Sequence, residues 1–325
     1  MTRPVPLLTA LLAALLIASV GFGSLALPAD RVLAALVGQG EATDQLVVWQ
    51  IRLPRSLAAV LVGAALGMSG AALQGLLRNP LAEPGILGVS AGAALFATFV
   101  LYFGFAAAGP FVLPTAAVLG ALAATAVIVL AALRTRSVVT LVLIGVGLSS
   151  FAAALMALLM NFAPNPFTLA DMVGWMLGTV ENRSLVDIAF CLPFLGLGMG
   201  VLLAMRRGLT ALSLGEEAAE SLGLDLRRQR ISIVTGAGLA TGAAVALAGS
   251  IGFVGIVAPH LVRPFVGYDP ARLLVPSALL GGVILLLADI GVRLLPTDAE
   301  LKLGVLAALI GAPVFVWIAA KRRLM

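Results

Sequence analysis

The chain is poor in the side chains on which most enzyme chemistry rests. It has one cysteine, Cys191, and one histidine, His260. A lone thiol excludes an intrachain disulfide, and Cys191, set in an apolar run, reads as a small buried hydrophobe. A lone imidazole excludes paired-histidine metal sites, and His260, following Pro259, reads as structural. Lysine is almost as scarce. Lys302 precedes Leu303 and Lys321 precedes Arg322, so the sequence contains no G-x-x-x-x-G-K-[ST] phosphate loop. If ATP drives this protein, another subunit hydrolyses it. Nucleophile, base and metal ligands do not cluster in the sequence, so neither a cofactor nor an enzymatic activity is expected.

Charge is scarce as well. Charged residues make up 11% of the sequence and hydrophobic ones 61%, against about 25% and about 45–50% in soluble domains. With a mean hydropathy of +1.13, that composition excludes an ordinary soluble domain. A β-barrel is excluded by pattern, since barrel strands alternate over about 10 residues whereas these apolar runs are continuous and about 20 long. The expectation is an all-α, polytopic membrane protein forming one transmembrane domain over residues 1–325. The runs carry almost no ionisable groups. A transporter driven by a proton or sodium gradient needs such groups near the bilayer centre, so that class is the weaker alternative. The formal net charge of +5 does not point to nucleic acid, because the basic residues gather at the ends of apolar runs, where they orient a membrane protein.

What is present is a series of runs able to cross about 30 Å of hydrocarbon. Ten spans are expected, near 5–27, 56–77, 86–105, 111–133, 138–160, 188–205, 231–249, 252–267, 273–295 and 303–320. The first reads as a retained helix, because a secretory signal has an apolar region of only about 7–15 residues. The eighth is interrupted by Pro259, His260, Arg263 and Pro264, so a half-helix is an open alternative there. The polar stretch 28–48 reads as a linker. Arginine and lysine placement puts both termini in the cytoplasm: that side collects Arg78, Arg134, Arg206, Arg207, Arg227 and others, against Arg31, Arg52, Arg55, Arg183, Arg293 and Lys302 opposite. An internal repeat is also visible. Gly63-Ala64-Ala65, Gly70 and Pro80 recur 179 positions later as Gly242-Ala243-Ala244, Gly249 and Pro259. Spans two and seven run in opposite directions, so the copies are inverted, as in transporters built around a central path.

One stretch is more specific than composition. Trp49 to Gly92, WQIRLPRSLAAVLVGAALGMSGAALQGLLRNPLAEPGILGVSAG, opens with Arg52, Pro54 and Arg55 and breaks at Asn79-Pro80 and Pro84-Gly85. Gly63, Gly67 and Gly70 share a helix face that lets a second backbone approach, while Gln74 either bonds across helices or faces a path. Together with GWMLG, LSLGEEAAESLG, GFVGIVAPHLVR, LLADIGVR and LIGAPVF, this stretch resembles the permease family that imports iron-siderophores, haem and vitamin B12 through bacterial ATP-driven importers. The resemblance covers most of the chain from Trp49 onward. It implies a permease subunit in the bacterial inner membrane, paired with a second copy as a homodimer, with a sister permease as the alternative partner. Two ABC ATPase subunits would sit below and a periplasmic substrate-binding protein above. The implied cargo is a metal chelate such as an iron-siderophore, with haem and vitamin B12 as alternatives.

Three sets of residues take roles from this resemblance. Gly215, Glu216, Glu217, Ala218, Glu220, Leu222 and Gly223 lie in the charged island Arg206 to Arg230 and read alone as a short solvated helix. The resemblance makes them the element that couples to the ATPase, since a rigid helix between glycine hinges can transmit a movement. Arg52, Arg55 and Arg293 end spans on the outer side, where basic residues are disfavoured. Alone they read as interfacial snorkelling, and the resemblance implies that they receive acidic residues of the binding protein. Asn79, Leu81, Ser137, Val138 and Val139 resemble the narrow cytoplasmic gate of the vitamin B12 permease, although Val138 and Val139 replace more polar residues there. Asp289, four residues before Arg293, reads as its local ion-pair partner.

Overall fold

The computed structural model describes residues 4–23, 27–135, 137–295 and 301–321. Among these the regular structure is helical: α1 (Pro4–Gly21), α2 (Ala29–Leu36), α3 (Ala42–Leu46), α4 (Leu53–Leu77), α5 (Val89–Tyr102), α6 (Val112–Arg134), α7 (Val138–Asn161), α8 (Pro166–Met176), α9 (Leu185–Ala204), α10 (Arg206–Ser213), α11 (Glu216–Ser221), α12 (Leu226–Ala248), α13 (Val254–Val262), α14 (Pro270–Leu294) and α15 (Leu303–Lys321). A helix satisfies its backbone groups within its own segment, which hydrocarbon demands of an apolar run. Seven helices are long and apolar enough to cross a bilayer, and three shorter apolar ones, Val89–Tyr102, Val254–Val266 and Leu303–Val316, complete the expected ten.

Burial sorts these spans. The helices ending at Leu77 and Ala248 each bury 78% of their apolar window, against 11% for α1 and 17% for α7. Thus α4 and α12 form the centre, packed on each other, with α14 against α4 and α6 against α12. Absent side chains make this closeness possible. A methyl group on Gly63 would collide with the Gly281 carbonyl, one on Gly67 with Ser277 and one on Gly70 with Gly255. The glycine face of α4 is therefore a seam for α14 and α13, where close backbone packing replaces the hydrophobic drive that lipid does not provide.

The eighth span is a half-helix. α13 has nine residues, followed by one 3₁₀ turn at Arg263–Val266, and nine residues rise about 14 Å, half of the hydrocarbon thickness. Its interior Pro259 has no N–H to give to the Gly255 carbonyl four residues back. The amide of Gln74, buried in α4, donates to that carbonyl at 3.2 Å. Gln74 thus bonds across helices, and its Oε1 accepts from Arg263 at the far end of the half-helix.

Other regions depart from expectation. Residues 28–48 are not a plain linker. Arg31 clamps α2 to α3 through Asp44, at 2.7 and 2.9 Å, and Glu41, at 2.8 Å, and a π turn over Val47–Arg52 leads into α4. Short α8 lies between spans five and six. Its signal was Asn165-Pro166: the Asn165 side chain accepts from Thr168 N at 2.9 Å, and proline occupies the first turn. The order of long buried helix, break, short helix and long helix appears in both halves, as α4–α5–α6 and α12–α13–α14. The residue matches that suggested a repeat are nevertheless out of step with it. Gly70 lies inside α4 whereas Gly249 caps α12, and Pro80 follows α4 whereas Pro259 lies within α13.

Candidate functional site

The charged island folds into two short helices between α9 and α12. Gly215 (φ +106°) and Gly223 (φ +85°) flank α11, both in backbone conformations that side chains resist. Glu216 accepts from Arg230 at 2.7 Å, and that arginine side chain is only 4% exposed, so α11 is pinned to α12. Ala219 packs inward and Ala218 is half-buried, while Glu217, Glu220 and Leu222 face outward. Leu214 and Leu222 are 66% and 68% exposed, an apolar pair beside acidic residues. A second tie is Gln229, whose amide donates to the Met205 carbonyl at 2.8 Å where α9 passes into α10. Movement of α11 is thereby tied to α12 and hence to the centre of the bundle.

The three arginines expected on the outer side point inward. Arg52, 3% exposed, donates to the Val20 and Gly21 carbonyls at 2.8 and 2.9 Å, where the end of α1 has carbonyls without helical partners. Fully buried Asp289 receives Arg55 at 2.7 Å on one oxygen and Arg293 on the other. Arg293 also donates to Ser19 O at 3.1 Å, Phe22 O at 3.3 Å and Ser56 Oγ at 3.2 Å. The cluster ties α1, α4 and α14 together at one end. The local pair expected between Asp289 and Arg293 is present. The reach of Arg55 to Asp289 was missed, because 234 residues separate them and no spacing rule connects them.

The residues expected at the gate occupy two neighbouring segments. α4 stops at Arg78, and the Asn79 side chain accepts from Leu81 N at 3.0 Å, turning the chain. Ser137 caps α7 by accepting from Thr140 N at 3.2 Å, leaving Val138 half-buried and Val139 67% exposed. Asn79 and Ser137 therefore cap their own segments and not each other. The segments meet deeper in α7, where Gly145 lies against the Ile86 carbonyl and Ser149 Oγ donates to the Gly85 carbonyl at 3.3 Å. Glu83 lies in the same break and was not singled out by sequence. Its carboxylate accepts from Phe253 N at 3.3 Å, at the start of the half-helix α13. Its signal was an acidic residue between two proline breaks in an otherwise apolar region.

A groove of about 590 Å³ lies where Met176 and Leu177 of α8's end, Ser250 and Gly252 of the break after α12, and Gly304 and Ala308 of α15 converge. Its walls are small and apolar, suited to a bulky ligand held by shape. Among the described residues, acidic, histidine and cysteine side chains do not gather into a metal-holding group.

Comparison with known proteins agrees with this geometry. Residues 11–321 match the model of the FecCD transport family. An uncharacterised ABC transporter permease protein, YvrB of Bacillus subtilis (strain 168), is 38% identical over 320 residues, covering 94% of this chain and 90% of that one. The vitamin B12 import system permease protein BtuC of Citrobacter koseri is 40% identical over 283 residues, covering 87% and 85%. A solved structure described as a metal-chelate type ABC transporter in an inward-facing conformation superposes with a TM-score of 0.88 at 34% identity, covering 99% of this chain and all of that one. With the family match running nearly end to end and the half-helix, glycine seam and hinged charged helix in place, this chain belongs to the FecCD transport family.

Proposed function

We propose that this protein is the membrane-spanning subunit of an ATP-driven importer for a metal chelate, and that it hydrolyses no ATP itself. The observation that carries this reading is α11, a short helix between two left-handed glycines, pinned to α12 by the Glu216–Arg230 pair and presenting Leu214 and Leu222 outward. Such an element is built to receive a partner and to pass its motion into the bundle. The partner is a pair of ABC ATPase subunits on the cytoplasmic side, with both termini of the chain on that side. A second permease copy completes the pathway and a periplasmic binding protein delivers cargo. The groove at Leu177, Ser250 and Gly304 is assigned to the cargo route, and Asn79, Leu81, Ser137, Val138 and Val139 to the cytoplasmic gate of that route. Because the relatives include vitamin B12 permeases, cobalamin is the first chelate to test, ahead of ferric siderophores and haem.

The inward pairing of Arg52, Arg55 and Arg293 supports a positioning role in docking. These residues brace the periplasmic ends of α1, α4 and α14 on which the binding protein rests, and the direct contact implied by resemblance is the alternative. The decisive experiment is uptake into proteoliposomes holding the permease, its ATPase and the binding protein. Uptake of one chelate that needs ATP and persists without an ion gradient is expected. Uptake driven by a proton or sodium gradient with no ATPase present would reject the reading.

A further inference from the structure

A cavity of about 250 Å³ opens where α4 stops, bounded by Gln74, Arg78, Ser213, Arg263, Tyr268 and Pro270. Its ionisable charge is of one sign. Arg78 is exposed and has no acidic partner among the described residues. Arg263 lines the same cavity while donating to Gln74 Oε1. The neighbouring carboxylate, Asp269, is engaged by Thr210 Oγ1 at 2.9 Å, Ala271 N at 3.0 Å and Arg272 at 3.2 Å.

Two backbone observations single this cavity out. Arg78 (φ 46°) and Tyr268 (φ 62°) are two of only four described residues other than glycine with left-handed backbone. Glycine would occupy either position without strain. The chain instead places a guanidinium and a phenol hydroxyl there, on the wall of one cavity, the kind of retained strain that accompanies binding sites.

The donors suit a phosphate. Guanidinium N–H groups of Arg78, at the end of α4, and of Arg263 and the hydroxyl of Tyr268, in the turn after α13, converge there, while Ser213 Oγ donates to the Thr210 carbonyl at 2.7 Å and can only accept. A phosphate offers acceptor oxygens in several directions where a carboxylate offers two in one plane. Pro80 and Leu273 give the cavity an apolar side. The end of α4 and the start of α14 place it at headgroup depth, where basic pockets between helices take anionic headgroups. We propose that this cavity binds a phosphate group, carried by an anionic phospholipid or free in solution, and that the bound phosphate braces the chain beside Asn79. The proposal depends on membrane insertion alone, not on the cargo or the ATPase.

The test uses the full-length protein in phosphatidylcholine nanodiscs, with and without phosphatidylglycerol. Retained lipid is read by native mass spectrometry and stability by the thermal midpoint. In a second arm, inorganic phosphate is added to phosphatidylcholine discs. The expected result is a raised midpoint with one of the two probes, and the arm that responds names the source. Arg78→Gly removes the guanidinium and relieves the left-handed strain, so it folds at least as well in phosphatidylcholine yet binds the responding probe about fivefold more weakly. Arg272→Gln, an exposed arginine nearby, retains the parent's response. The proposal is overturned if neither probe raises the midpoint, if Arg78→Gly responds as the parent does, or if Arg272→Gln loses as much. It also fails if Arg78→Gly weakens only ATPase association, which would make the occupant a protein carboxylate.

Discussion

The two ends of this bundle use the same residue types in opposite ways. At the end of the bundle where α4 begins, Arg52, Arg55 and Arg293 turn inward onto carbonyls and the buried Asp289 carboxylate. At the opposite end Glu217 and Glu220 stay outward beside exposed leucines, while the Glu216–Arg230 pair is drawn in. A buried charge cluster fixes geometry, because removing one member leaves another stranded in a low dielectric. An exposed charged helix contributes little to stability and is available to a partner. Charge placement thus separates an end whose charges are locked into the fold from one whose charges stay open to a partner.

The sharpest way to break this comparison is Asp289→Asn, which leaves two buried guanidiniums without their carboxylate. We expect a loss of about 3–5 kcal/mol in unfolding free energy, read by denaturant unfolding in detergent. A change within about 0.5 kcal/mol would mean that the cluster is not the brace described. Arg55→Gln removes one of the two cations and should destabilise by about 1.5–3 kcal/mol. Its folded fraction should bind the periplasmic partner with the parent's salt dependence. A shallower dependence would identify Arg55 as a direct contact.

Smaller effects are expected at the other end. Glu216→Gln weakens a pair whose glutamate is 34% exposed and should lower stability by about 0.5–1.5 kcal/mol, with a parallel fall in cargo moved per ATP hydrolysed in proteoliposomes. Unaltered coupling would show that the tie between α11 and α12 does not carry movement. Leu222→Asp should have the least effect on folding, within about 0.5 kcal/mol. Yet uptake should drop by about tenfold or more while ATP is still hydrolysed. Normal ATP-driven uptake by this variant would remove α11 from the coupling role.

Most of the span pattern was legible because continuous apolar runs have one structural outcome in lipid. The glycine face of α4 was legible too, since residues three and four apart share a helix side. The glycines' partners, Gly281 and Gly255, were not, because only folding brings distant seams together. Gln74 stood out as polar in an apolar run, but its use by the carbonyl that Pro259 strands required the half-helix to be seen. α11 could be read from its flanking glycines, whereas the inward turn of the outer arginines could not. Helix-end arginines look the same in sequence whether they face water or a buried carboxylate.

The Arg55–Asp289 pair also has a history. Arg55 is synthesised 234 residues before its carboxylate, a delay of some ten to fifty seconds at about 5–20 residues per second. During that interval the start of α4 has Arg55 and its bare glycine face but no α14 to receive either. The long Arg55 side chain must then reach the headgroup region, so snorkelling is its condition during biogenesis and pairing its condition once the last third of the chain arrives. The start of a newly inserted α4 is thus held near the surface by the same residue that later ties it to α14.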